Sequence, residues 1–256
     1  MGRIFISGSA DGLGRMAGEW LLERGHQVTF HVRSKKRADE LKRKVAGATD
    51  IVTGDVSTLA AMRDVADQVN RIGRHDAVIH NVAIGYREPH RAETEDGILE
   101  IFAVNTLAPY LLTALIEKPK RLVFLSSGLH SSGNPDVSDL EWRHRHWNGM
   151  QAYSDTKLQD CWLAFGLARR WPDVLSNALE PGWVATRMGG SGAPDDLQKG
   201  AITQAWLAVS DDAAATVSGG YFFHQKPKAV SPNARRTDLQ DRLFDACRKL
   251  SGVAIG

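Results

Sequence analysis

Short apolar runs recur along the chain, separated by longer stretches of mixed polarity. "RIFIS" (3–7), "QVTFHV" (27–32), "DIVTG" (50–54) and "DAVIHN" (76–81) have the length and residue types of strands, as do "RLVFLS" (121–126), "LSNALE" (175–180) and "GGYFFH" (219–224). After the first run, Leu13, Met16, Ala17, Trp20, Leu21 and Arg24 keep a helical period that closes at Gly25, a C-terminal cap. Residues 58–70, 94–116, 151–171 and 195–210 also read as helices. Strands spaced by helices of this length predict right-handed crossovers and a doubly wound parallel sheet of about seven strands, with helices on both faces. No linker, repeat or low-complexity tract divides residues 1–256, so one domain is expected.

One stretch, 128–150, breaks the rhythm. It is rich in Ser, Gly, Asn, His and Trp and is longer than an ordinary connection. Trp142 and Trp147 within it suggest a lid or pocket wall. His144 and His146 lack the further spaced ligands that a metal needs, so no metal site is expected. The glycines of "MGGSGAPDD" (188–196) fit a mobile substrate loop near 183–200.

Composition changes this picture little, but it excludes some classes. With 256 residues, 43% of them hydrophobic and 24% charged, the chain can bury a substantial core. A net charge of +2 gives no reason to expect nucleic acid or a membrane surface as partner. No apolar run has the length of a membrane span, and no signal-peptide pattern precedes the first strand. Only two cysteines occur, Cys161 and Cys247, outside any CxxC pattern. They point to a reducing compartment and a cytoplasmic location.

The first strand runs into "ISGSADGLGR", with glycines at 8, 12 and 14 before the first helix. Glycines there allow a tight turn and close backbone approach, and the helix N-terminus offers free N–H groups to a pyrophosphate. Arg33 follows the second strand, where an NAD site usually carries a carboxylate. Its guanidinium suits the 2′-phosphate of NADP, with Lys35 and Lys36 adding charge and Asp11 opposing it. Asp55, after the third strand, is placed to accept a hydrogen bond from adenine; as a helix-start aspartate it would also suit the macrodipole. Farther along, "YSDTK" places Tyr153 and Lys157 one helical turn apart on the same face, the arrangement of an acid–base pair.

Seven segments now stand in one order: "SGSADGLG" (7–14), "GDVS" (54–57), "HNVA" (80–83), "VNT" (104–106), "LSSG" (125–128), "YSDTK" (153–157) and "PGWVAT" (181–186). In this order the chain resembles the short-chain dehydrogenase/reductase family over nearly its whole length, in its short form. The stretch before Tyr153 and the C-terminal ending look like the retinol-dehydrogenase-like and carbonyl-reductase-like branches. The resemblance implies a Rossmann-type fold and NADP as preferred cofactor, with NAD as the alternative. It implies that Tyr153 is the general acid or base, that Lys157 lowers its pKa and holds the nicotinamide ribose, and that Ser127 holds the substrate oxygen. Asn105 would support a water relay behind Lys157. Ser126 and Ser131 remain alternatives to Ser127, because the gap from Ser127 to Tyr153 is longer than the family's usual one.

The implied cofactor contacts are Gly8, Ser9, Asp11, Gly12, Leu13 and Gly14 in the turn, then Arg33, Asp55 and Val56. Asn81, Val82 and Ala83 follow the fourth strand, and Pro181, Gly182, Val184 and Thr186 the sixth; Val82 and Ala83 stand where the family usually has Ala-Gly. The implied activity is hydride transfer between nicotinamide and a small carbonyl or secondary alcohol. A non-catalytic dinucleotide-binding regulator, and an epimerase or dehydratase using the same Tyr–Lys pair, are the competing readings. Helices 94–116 and 151–171 resemble the family's dimerisation faces, so a homodimer or homotetramer is expected.

Overall fold

The computed structural model describes residues 1–256 and places eight strands in one sheet, in the order β3-β2-β1-β4-β5-β6-β7-β8. The strands are β1 Arg3–Ser7, β2 Gln27–Val32, β3 Asp50–Thr53, β4 Ala77–His80, β5 Arg121–Leu125, β6 Leu175–Glu180, β7 Tyr221–Phe223 and β8 Lys226–Pro227. The first seven pair in parallel, and β8 folds back antiparallel on β7. The added edge strand is only two residues long, too short to leave a periodic signal. Chain order runs outward from β1 to β3, then returns to place β4 on the other side of β1. That reversal opens a crevice at the carboxyl ends of β1 and β4, where Ser7 is in register with His80.

Alternation along each strand divides the core in two. Phe5, Val78, Leu122 and Phe124 point to one face of the sheet, while Ile4, Ile6, Ala77, Ile79, Val123 and Leu125 point to the other. The first face is covered by α3 Leu59–Ile72, α4 Glu100–Phe102, α5 Ala108–Leu115, α6 Gly149–Arg170 and α8 Thr237–Ser251. The second is covered by α1 Gly12–Leu22, α2 Lys35–Lys44 and α7 Leu197–Val209. Full burial of side chains such as Phe5, Phe30, Phe124 and Trp162 contributes roughly 1.5–3 kcal/mol each.

Several helices differ from the sequence reading. α2 falls in "KKRADELKRK", which is so charged that only Ala38 and Leu41, one turn apart, are buried. The stretch 94–116 becomes helical only at Glu100, and Ala103–Leu107 is a π segment joining α4 to α5. α8, unassigned from the sequence, packs on α6: a Cβ at Gly166 would lie 2.6 Å from the Phe244 ring, and Arg169 and Arg170 both pair with Asp241 at 2.7 Å. Phe244 also meets Tyr110 of α5 edge-on at 5.7 Å. α8 of the same chain thus packs on α6 and α5, the helices expected to pair between protomers. No helix is long and apolar enough to cross a membrane.

Candidate active site

Glycine serves the turn between β1 and α1 for two reasons. Gly8 and Gly12 have φ of 65° and 52°, a region that disfavours side chains. Gly14 has ordinary backbone, but a Cβ there would lie 2.5 Å from Asn81 Nδ2 and 2.7 Å from the Gly8 carbonyl. The turn is held from below. Ser7 Oγ accepts the N–H groups of Asn81 (3.0 Å) and Val82 (3.2 Å), and Asn81 Nδ2 donates to the Gly8 carbonyl at 2.7 Å. His31 Nδ1 accepts the Gly8 N–H at 3.0 Å, so its Nε2–H donates to the Gly54 carbonyl at 2.9 Å. Burial lowers the His31 pKa, which suits this neutral tautomer.

Asp11 begins α1 without a side-chain cap, leaving the first-turn N–H groups open to an anion. They face a cleft of about 310 Å³ walled by Gly8, Asp11, Gly12, Leu13, Asn81, Val82 and Ala83. Tyr153, Lys157, Pro181 and Thr186 wall its other end. The expected residues thus converge from four separate parts of the chain. A positively polarised turn at one end and a Tyr–Lys pair at the other fit a dinucleotide.

Other expected contacts stand outside that wall. Ser9 is buried, donating from Oγ to the Ile6 carbonyl and accepting the His31 N–H, both at 2.9 Å. Gly14 and Val56 are also buried, whereas Arg33 and Asp55 are exposed. Asp55 accepts the Ser57 N–H at 3.2 Å. Arg37, in the first turn of α2, reaches back to pair with Asp11 and also meets Glu40. The sequence reading weighed Lys35 and Lys36 there; the helical phase of α2 brings Arg37 to the glycine turn instead.

On α6, Lys157 Nζ lies 5.5 Å from the centre of the Tyr153 ring. It donates to the Leu125 carbonyl and to Asp160 Oδ2, each at 2.8 Å. The expectation that Lys157 lowers the phenol's pKa holds in direction only. Burial raises it most and Asp160 raises it further, outweighing the lowering by Lys157 and Ser127, so the phenol stands above its ordinary value. Lys157 and Asp160 act on each other in opposite senses to burial. Burial opposes the ammonium most, but Asp160 and Tyr153 together outweigh it and raise the Lys157 pKa, while burial lifts the Asp160 carboxyl to about 6. Asp160 was missed, although its i,i+3 spacing from Lys157 is visible in "KLQD".

Asn105 lies in the π segment, a feature frequent at functional sites. Its Oδ1 accepts the Ile84 N–H at 2.8 Å, and its Nδ2 donates to the Ile84 carbonyl and Thr156 Oγ1, both at 3.1 Å. The side chain ties the loop after β4 to α6. The proposed water relay would therefore have to use other atoms of this segment.

Ser127 follows β5 with its side chain towards Tyr153, while Ser126 turns inward and donates to the Lys157 carbonyl at 2.7 Å. Ser131 donates to the Gly128 carbonyl at 2.9 Å. Of the three serines, Ser126 and Ser127 border a second cavity of about 650 Å³, together with Tyr86, Tyr153, Gly182, Trp183 and Val184. Glu180 and Lys228 form an ion pair in its wall. Only Gly128, Leu129 and Met150 of the 128–150 stretch border this cavity. Trp142 and Trp147 pack against each other at 5.6 Å, and Trp147 Nε1 donates to the Glu88 carbonyl at 3.0 Å. Those tryptophans anchor the stretch rather than line the pocket.

The fold and this site define a class of α/β oxidoreductase, and comparison with known proteins identifies the family. The family profile described as "Enoyl-(Acyl carrier protein) reductase" matches residues 8–217. An uncharacterized oxidoreductase of Emericella nidulans is 39% identical over 259 residues, covering 100% of this chain and 99% of the relative. Human retinol dehydrogenase 13 is 29% identical over 98% of this chain and 84% of its own length. A solved structure of an uncharacterized protein from Mycobacterium paratuberculosis superposes with a TM-score of 0.87 at 24% identity, over 100% of this chain and 95% of that one, and shares the fold. The chain belongs to the short-chain dehydrogenase/reductase family.

Proposed function

We propose that this protein is an NADPH-preferring oxidoreductase that interconverts a carbonyl compound and its secondary alcohol. The observation that carries this reading is the position of Tyr153, whose side chain borders both the glycine-turn cleft and the larger cavity. A group that must meet both a cofactor and a substrate belongs at that junction. NADPH, when bound, supplies the hydride. Tyr153 Oη donates its proton to the substrate oxygen as negative charge develops there, and Ser127 Oγ–H stabilises the same oxygen. Lys157 holds the ribose and, through Tyr153, the proton path. Arg33 and Arg37 flank the adenosine end, where guanidinium groups suit a 2′-phosphate. The relative named retinol dehydrogenase supports an alcohol–carbonyl pair as substrate class.

The test is a panel of ketones, aldehydes and secondary alcohols, monitored by the absorbance of NADPH and NADH separately. Net oxidation of NADPH by a carbonyl substrate is expected, which also excludes an epimerase or dehydratase cycle as the main activity. Cofactor binding without turnover on any carbonyl or alcohol would favour a non-catalytic dinucleotide sensor.

A further inference from the structure

The acid–base scheme assigns no role to Asp160, yet its carboxylate is among the most enclosed charges in the chain. It lies 2.8 Å from Lys157 Nζ, and the two side chains are only 4% and 3% exposed. A lysine whose sole task was to draw the proton from Tyr153 would act most strongly without a counter-charge. Here a fixed anion one turn farther along the same helix opposes it. Opposite charges this close act at longer range as a dipole, so much of the ammonium's field at the phenol is cancelled. Leaving either charge unpaired in such a place is costly, which keeps the pair together.

We propose that Asp160 is a positioning residue for the Tyr153 proton: its carboxylate, paired to Lys157 inside α6, offsets the ammonium's pull on the phenol and, together with burial, presets the site as a proton donor to a carbonyl. The proposal rests on the reading of Tyr153 as the catalytic acid.

The groups around Tyr153 act on it in both senses, with Lys157 and Ser127 opposing burial, Asp160 and Tyr86. From α6 itself come Lys157 and Asp160, with the neutral Cys161 thiol beside them. Tyr86, after β4, meets the Tyr153 ring edge-on at 5.6 Å and works in the same direction as Asp160. Ser127, after β5, favours the phenolate. Across the larger cavity stand Glu180, Lys228 and Asp195, and Asp11 and Arg187 border the cofactor cleft. The first two pair with each other. Arg235 acts on Cys161 from the helical turn Pro232–Arg235. Of the two buried carboxylates between Tyr153 and Cys161 on α6, Asp155 is taken up by Arg145, Gln151 and the Asn134 N–H, and Asp160 is the one that acts on the phenol.

The test compares Asp160→Asn, which removes the charge and keeps an oxygen facing Lys157, with Asp160→Glu, which keeps the charge. Tyr153 is followed by NMR of ring-carbon-labelled tyrosine in the cofactor-free protein, its signal assigned by Tyr153→Phe. The asparagine variant should titrate about one pH unit lower, a tenfold change in proton affinity, and the glutamate variant should stay near the parent. The rising limb of the pH profile for alcohol oxidation should move by the same amount. An unmoved or raised midpoint in folded Asp160→Asn would overturn the proposal. Infrared spectroscopy of the unmodified protein with labelled aspartate adds a check that needs no variant: Asp160 must be ionised at neutral pH, and a protonated carboxyl would overturn the proposal. If no substrate is turned over, the NMR titration still decides the role of Asp160, whereas the proposed activity fails separately.

Discussion

The Ser127 carbonyl accepts a hydrogen bond from His130 Nδ1 at 2.7 Å. His130 Nε2 in turn accepts the Ser231 N–H at 3.1 Å, which fixes the tautomer with the proton on Nδ1. Tyr221 donates to the same Ser127 carbonyl at 3.2 Å. A serine separated from its tyrosine by a long insertion is thereby anchored through its backbone, leaving its hydroxyl towards the substrate cavity. His130→Ala is expected to lower turnover roughly tenfold through a misplaced Ser127, the scale of a small positional error. Cofactor affinity should not change. Stopped-flow hydride transfer and cofactor titration separate the two effects; unchanged turnover would mean that Ser127 needs no such anchor.

Tyr153→Phe keeps the ring and removes only the transferable proton. Turnover should fall roughly 10²–10⁴-fold, with cofactor binding and fold retained. Near-normal activity in the folded variant would remove Tyr153 from the mechanism.

Lys157→Ala should behave differently, because it leaves Asp160 buried without its partner. A loss of about 3–5 kcal/mol in stability is expected, together with weaker cofactor binding. The double variant Lys157→Ala/Asp160→Asn should recover part of the stability but not the binding. Urea unfolding of both variants is the measurement, and equal stability of the single and double variants would contradict it.

Cofactor choice should follow the two guanidinium groups. NADPH is expected to bind at least about tenfold tighter than NADH, or ~1.4 kcal/mol. Arg33→Asp should narrow or reverse that ratio. Arg37→Ala should narrow it too, since it removes one cation and uncovers Asp11 beside the same site. Equal affinity of the parent protein for both cofactors would refute the assignment.

Stability should fall as pH drops below neutrality. Burial lowers the pKa values of His31, His75, His80 and His130, with His75 at about 4 and His80 at about 3. Each binds a proton more readily when unfolded, so its contribution is complete above about 6.5 and is lost as pH falls towards its folded value. The slope is on the order of 1 kcal/mol per pH unit for each. Asp160, raised to about 6, works in the opposite sense but is one group against four. Thermal unfolding from pH 7 to pH 5 should show a falling midpoint; a flat profile would contradict it.

Self-association offers a further check. Phe244 of α8 lies against Gly166 of α6 and Tyr110 of α5, the two helices expected to pair between protomers. Light scattering should therefore give the mass of one chain. A dimer whose formation protects α5 and α6 from hydrogen exchange would show that α8 is displaced.

Much of this molecule is legible in local pattern. The seven longer strands follow from short apolar and β-branched runs, which a sheet covered on both faces requires, and α1 and the Tyr153–Lys157 pair from the 3.6-residue period of the helix. The glycines of the turn were legible because positive φ at Gly8 and Gly12 is a local demand. α2 escaped because its exposed charges leave only Ala38 and Leu41 to mark a buried face.

Tertiary structure alone decided which polar groups meet. Tyr221 reaches the Ser127 carbonyl, and Ser231 reaches His130, only because the sheet sets β7 and the chain after it beside the end of β5, and Arg37 reaches Asp11 only because β1 and β2 are neighbours in the sheet. Trp147 left the pocket for the Glu88 carbonyl, a contact between residues far apart in the chain. Asp160 shows the same division within one helix. Its spacing from Lys157 is in the sequence, but its effect on Tyr153 depends on burial, which β5, β6 and α8 impose by closing around α6. An ion pair in water would scarcely bias a phenol; sealed inside the fold, it can.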